Sequence, residues 1–178
     1  TSTNAPQFMC NSLEGIDGLS LYDLASLNNI FLNCYSLKKP IDIINTTATQ
    51  IASTYAYCYK LKEINNFIIP DATSNNNAFS GCFTLEKINK INISGITSPS
   101  SMFNSLYNLK HINFDGEIIG NISLNNCVKL EHESILNILN HLKDLTGLTA
   151  QKLTLGSNLK RLSDEEKAIA INKNWTLA

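Results

Sequence analysis

Apolar positions along this chain recur in a fixed frame: an aromatic, then cysteine, leucine and isoleucine at successive intervals of three residues, then a second apolar patch. The frame reads FLNCYSLKKP over 31–40, YAYCYKLKEI over 55–64, FSGCFTLEKI over 79–88 and FNSLYNLKHI over 103–112. A less regular unit, FMCNSLEGI, precedes these at 8–16, and LNNCVKLEHE follows at 124–133. Cys10, Cys34, Cys58 and Cys82 are spaced by 24 residues, Leu106 takes the next step, and Cys127 comes after a shorter step of 21. Leu13, Leu37, Leu61, Leu85, Leu109 and Leu130 keep the same beat. A period in the twenties is the mark of a solenoid, a stack of small units of which none can bury a core alone. The aromatic, Cys, Leu and Ile of each unit are therefore expected to point inward. The stretch after each leucine, such as 109–114, suits a short strand. Polar turns are expected at 73–77, at 97–101 and at Asp115 and Gly116.

Beyond Cys127 the period changes. Ile135, Ile138, Leu139 and Leu142 form a helical stripe within 134–143. Residues 152–156 alternate like a strand that ends at a glycine. Ser163, with Glu166 three residues on, reads as a capping box that opens a helix through Ala170. Trp175, Thr176 and Leu177 read as a last strand. Because a solenoid exposes its spine at its ends unless covered, residues 1–132 are expected to form the repeats and 133–178 a cap on the same domain.

Charge narrows the partners. With 14 basic and 15 acidic residues the net charge is -1, and no basic stripe of the kind nucleic-acid binders carry is present. No apolar stretch approaches the roughly 18 residues that cross a bilayer, so neither nucleic acid nor membrane insertion is expected, and the chain reads as a monomer. The polar start at 1–6, without an initiator Met, reads as a mature or trimmed end. Residues one period apart sit about 4.8 Å apart in a sheet-like stack. The cysteines are thus expected to form a reduced ladder of small apolar side chains, although neighbouring thiols fall in the range that permits a bridge. Leu106 favours the ladder, since leucine can replace a packing residue but not a metal ligand or a disulfide partner.

No nucleophile, phosphate-loop or metal-ligand motif is visible, so no catalytic residue, cofactor or metal is expected. His111 and His132 lie at equivalent places near Glu131 and Glu133. A weak metal site is conceivable there, but solvated side chains on a strand face are the better reading. The surface that can carry function is the polar set after each leucine: Lys62, Glu63 and Asn65, then Glu86, Lys87 and Asn89, then Lys110, His111 and Asn113. These residues form either a partner face or merely a soluble sheet surface. The asparagines either meet carbohydrate hydroxyls or bond one another. Tyr59, Phe83 and Tyr107, with Tyr57 nearby, form either a contact stripe or packing at a corner.

The segment Ala78-Phe79-Ser80-Gly81-Cys82-Phe83-Thr84-Leu85-Glu86-Lys87-Ile88 resembles the BspA-like bacterial leucine-rich repeats. In that family an AF-x-x-C-x-x-L-x-x-I core leads into an apolar strand and often a proline, as in Phe67-Ile68-Ile69-Pro70. The likeness covers roughly residues 6 to 132 and departs at Gln7, Pro40 and Glu133. The closing D-E-E-K-A-I-A and W-T-L-A segments are similar to endings that follow such repeats in low-GC Gram-positive bacteria and their phages. The resemblance implies an α/β solenoid, a right-handed leucine-rich-repeat coil with short strands lining one face and a helix-strand-helix cap. It also implies a non-enzymatic adhesion module, extracellular or on a bacterial cell surface, with a protein or glycan ligand. A structural spacer within a longer surface protein, or a phage receptor-binding component, is the alternative.

Overall fold

The computed structural model describes residues 11–17, 19, 21–22, 24–73 and 77–178. Cys10, the aromatic end of the first unit and the middle of the 73–77 turn lie outside the described residues. The chain is an α/β fold with two parallel sheets and few helices. The first sheet runs in the order β1 (Ile43–Ile44), β2 (Glu63–Ile68), β3 (Lys87–Asn92), β4 (His111–Phe114). The sequence period becomes the register directly: Glu63 faces Lys87, which faces His111, and Ile64 faces Ile88, which faces Ile112.

β2 and β3 do not alternate simply. Ile64 and Phe67 are buried while Asn65 and Asn66 between them both look outward. β4 omits one residue, so the register shifts and Ile91 pairs with Phe114. Such irregularities re-aim side chains locally, and here β2 and β3 each carry an outward residue, Asn66 and Lys90, that β4 lacks.

Behind the sheet, Phe31, Tyr55, Phe79 and Phe103 are buried and stacked in sequence order, with centroid separations of 5.2, 6.1 and 6.1 Å. Cys34, Cys58, Cys82 and Cys127 are buried, in line with Leu106. The Cys58 thiol donates to the Phe31 carbonyl at 3.2 Å and the Cys82 thiol to the Tyr55 carbonyl at 3.0 Å. A cysteine at this corner thus fills space and also supplies a donor to the aromatic residue one unit back. The neighbouring Cys82 thiol, and then burial, push the Cys58 thiol well above its ordinary pKa. Burial alone pushes Cys127 up to about 12, so both stay protonated and poorly nucleophilic.

Helix α1 (His132–His141) buries Ile135, Ile138 and Leu139 and lies against the open edge of β4. Two of its polar side chains close that edge. The Ile112 amide donates to Ser134 Oγ at 3.0 Å, and the Phe114 amide to Asn137 Oδ1 at 2.7 Å. A helix laid over a strand edge stops the sheet from growing.

The second sheet is β5 (Ile122–Ser123), β6 (Gln151–Thr154) and β7 (Trp175–Leu177). Here the step lengthens to 31, as Ile122 pairs with Leu153 and Asn121 Oδ1 accepts from the Lys152 amide. The 3-10 turn Gly156–Arg161 then repeats the corner of the earlier units, with Asn158 in the cysteine position. Asn158 is fully buried, and its Nδ2 donates to the Cys127 carbonyl at 2.9 Å. Helix α2 (Asp164–Ile171) opens with the capping box that the sequence reading expects: the Glu166 amide donates to Ser163 Oγ and the Ser163 amide to Glu166 Oε2. Trp175 fixes the last strand by donating Nε1 to the Lys143 carbonyl at 2.8 Å. Among the described residues no helix is long and apolar enough to cross a membrane.

Candidate functional site

The outward side of the first sheet is a stack of polar rows one period apart. Lys62, Glu86 and Lys110 stand just before β2, β3 and β4. Glu63, Lys87 and His111 open the strands, and Asn65, Asn89 and Asn113 follow two places on. All nine side chains named from the sequence belong to this one surface, because the inward isoleucines at 64, 88 and 112 fix the orientation of each strand.

Most of these groups pair along the stack. Lys110 Nζ meets Glu86 Oε2 at 2.7 Å, and Lys38 meets Glu14 in the same way three units earlier. The hydrogen bond and charge of Lys110 hold the Glu86 carboxyl below its usual pKa, and Glu86 in turn raises that of Lys110. Asn89 Nδ2 donates to Glu63 Oε1 at 2.5 Å and more weakly to Asn65 Oδ1 at 3.4 Å. Asn137 on α1 continues the asparagine row by donating to Asn113 Oδ1 at 2.7 Å. The asparagines therefore bond along the stack, one of the two roles open to them from the sequence. The Lys87 side chain has no hydrogen bond or ion pair among the described residues. The Lys62 ammonium lies within electrostatic reach of the Glu86 carboxylate, while the two residues meet directly only through the backbone, where the Glu86 amide donates to the Lys62 carbonyl at 2.8 Å.

A further row on the same face escaped the sequence reading. Asn66 donates to Asp42 Oδ2 at 2.8 Å, and Lys90 reaches Asp115 at 2.9 Å. Its signal is the pair of consecutive polar residues inside β2 (Asn65, Asn66) and β3 (Asn89, Lys90), which a strict alternation of two hides.

The histidines separate. His111 faces Glu131 at 3.8 Å. His132 does not sit on a strand face as expected: it opens α1 and holds Glu166 of α2 at 2.7 Å. The helix starts there because the chain turns away from the sheet at Glu131, and the carboxylate that caps α2 draws the ring in. Among the described residues no three potential metal ligands gather.

The aromatic row is longer than the sequence reading made it. Tyr35, Tyr59, Phe83 and Tyr107 stack with centroids 5.0, 5.5 and 6.4 Å apart and planes within 14° of parallel. Their faces cover one another and their edges meet solvent, so the row packs the corner between units while it lines the surface. Tyr57, beside it, holds φ 64 where the equivalent residues are Asn33, Gly81 and Ser105. Its ring lies over Gly81, where an added Cβ would come within 2.5 Å of it. A bulky residue in this left-handed region is uncommon.

Compared with protein-family models, curated proteins and solved structures, the chain matches none of them.

Proposed function

We propose that the chain is a leucine-rich-repeat solenoid of the BspA-like kind, capped from residue 133, that serves as a non-enzymatic binding module on the outside of a bacterium. The observation that carries the reading is the outward sheet face. A regular register sets Lys62, Glu63, Asn65, Glu86, Lys87, Asn89, Lys110, His111 and Asn113 in rows on a preformed surface. Side chains already held by their neighbours lose little ordering entropy when a partner arrives. Lys62 and Lys87, whose ammonium groups have no ion pair among the described residues, are the groups best placed to meet a protein carboxylate or a glycan acid. A phage receptor-binding component would use the same face.

The pairing within the face also favours a second reading, a structural spacer, because groups that satisfy one another need no ligand. The two part company in one experiment. The purified chain is tested for binding to host epithelial cells and matrix proteins beside a variant carrying Lys62→Glu, Glu86→Lys, Lys87→Glu and Lys110→Glu. Saturable binding that the folded variant loses supports the binding module and its face. Binding retained by the variant moves the site elsewhere, and no binding by either chain supports the spacer.

A further inference from the structure

We propose that Tyr35 and Tyr59 form a modification site, an oxidative dityrosine bridge between neighbouring units, made when the chain meets hydrogen peroxide and a haem peroxidase. The inference starts from where the oxidisable side chains lie. Among the described residues Cys34, Cys58, Cys82, Cys127 and Met102 are 0% exposed and Trp175 is 3% exposed. Among the described residues, the groups that ordinarily intercept an oxidant first are thus inside the fold. Tyr55 is also buried, and its hydroxyl is held by the Ile41 carbonyl. Electron donation at the surface falls to the remaining tyrosines: Tyr22, Tyr57, Tyr59 and Tyr107, exposed by 39 to 56%, and the half-buried Tyr35.

Coupling within the folded chain needs two phenoxyl rings held in contact, and contact is selective here. Tyr35 and Tyr59 stack with centroids 5.0 Å apart and planes 10° from parallel. With planes about 3.5 Å apart, the usual carbon contact distance, the rings are offset sideways by a similar amount. Carbons of one ring therefore lie over the rim of the other. Tyr107 is separated from Tyr59 by Phe83, which cannot form a phenoxyl radical. Tyr57 meets Tyr59 edge-on at 6.2 Å and belongs to the same unit. Tyr22 has no ring contact among the described residues. Holding the two rings in place through the parallel corners of adjacent units makes their coupling effectively unimolecular.

The chemistry balances with the oxidant named. Each phenol gives one electron and its hydroxyl proton to the peroxidase. The two phenoxyl radicals combine by a carbon–carbon bond between ring positions ortho to the oxygens. The two hydrogens on those carbons then shift to the oxygens and restore both phenols. One hydrogen peroxide takes up the two electrons and two protons and leaves as two waters.

The test uses the whole chain, with accessible thiols alkylated first, treated with horseradish peroxidase and limiting hydrogen peroxide. Dityrosine fluorescence is read, and the bridge is assigned to individual tyrosines by fragment-ion mass spectrometry of cross-linked peptides from the monomeric fraction. The expected product is a single intramolecular link between Tyr35 and Tyr59. Tyr35→Phe and Tyr59→Phe each lose nearly all of the fluorescence, Tyr57→Phe and Tyr107→Phe keep it, and prior unfolding in urea lowers the yield several-fold. Peptide mapping of the unaltered chain decides the matter even if a variant fails to fold. A link mapped to Tyr22, Tyr57 or Tyr107, bridges only between molecules, or no bridge at all overturns the proposal.

Discussion

Between β2 and β3 the neighbour across the sheet is the residue one period on, and isoleucine meets isoleucine. Between β5 and β6 the offset is 31, and the joint relies on named polar groups: Asn121 on the Lys152 amide and Asn158 on the Cys127 carbonyl. The first region is specified by apolar identity repeated at a constant step. The second, where the step changes, is specified by individual hydrogen bonds. Repetition makes register cheap to encode and tolerant of surface change. An irregular end concentrates the same information in a few side chains, each of which is correspondingly costly to lose.

The sharpest way to break the comparison is to remove an aromatic from the stack. Phe79→Ala empties a fully buried site between Tyr55 and Phe103 and is expected to cost about 3–5 kcal/mol, read as a lowered urea midpoint. Next in size is Ser134→Ala, which strips the acceptor from the buried Ile112 amide and is expected to cost about 1–3 kcal/mol. Paired with Asn137→Leu it frees the edge of β4, and light scattering should then show association that the parent chain lacks. Ser163→Ala removes the N-cap of α2 and is expected to cost about 1 kcal/mol without disturbing the first sheet, as amide exchange would report strand by strand. Charge pairs on the sheet face give the smallest effect. The Glu86 carboxyl is held below its ordinary pKa in the fold. Its stabilisation is therefore present above the ordinary carboxylate range and is lost as pH falls through the lowered folded value. Because the pair is exposed, salt should screen it, and Glu86→Gln should flatten this part of the pH profile.

Much of this was legible beforehand. The constant step set the registry of β2, β3 and β4, the stripe at 135, 138, 139 and 142 marked α1, and the Ser163–Glu166 spacing marked the start of α2. What escaped was decided by side-chain geometry rather than by periodicity. The extra outward row at Asp42, Asn66 and Lys90 depends on a backbone irregularity. The role of Ser134 and Asn137 depends on a helix meeting a strand edge. Asn158 was hidden by its polarity at a position that cysteine or leucine fills in the earlier units, although Leu155 three residues earlier keeps the frame. Tyr35 lies one period before Tyr59 and was readable from the spacing alone.

The central claim is that residues one period apart lie side by side on adjacent strands, and engineered disulfides test it most directly. Asn66 and Lys90 are Cα partners on β2 and β3, which places them about 4.8 Å apart and inside the window a disulfide needs. The double variant Asn66→Cys, Lys90→Cys is expected to close rapidly to a monomeric disulfide under mild oxidation, while the buried native cysteines stay reduced. The control Asn66→Cys, Asp115→Cys spans two strand spacings, about 10 Å, and should stay open. Closure of the control in preference to the 66–90 pair, or failure of both to close in the folded chain, would contradict the 24-residue register and the account built on it.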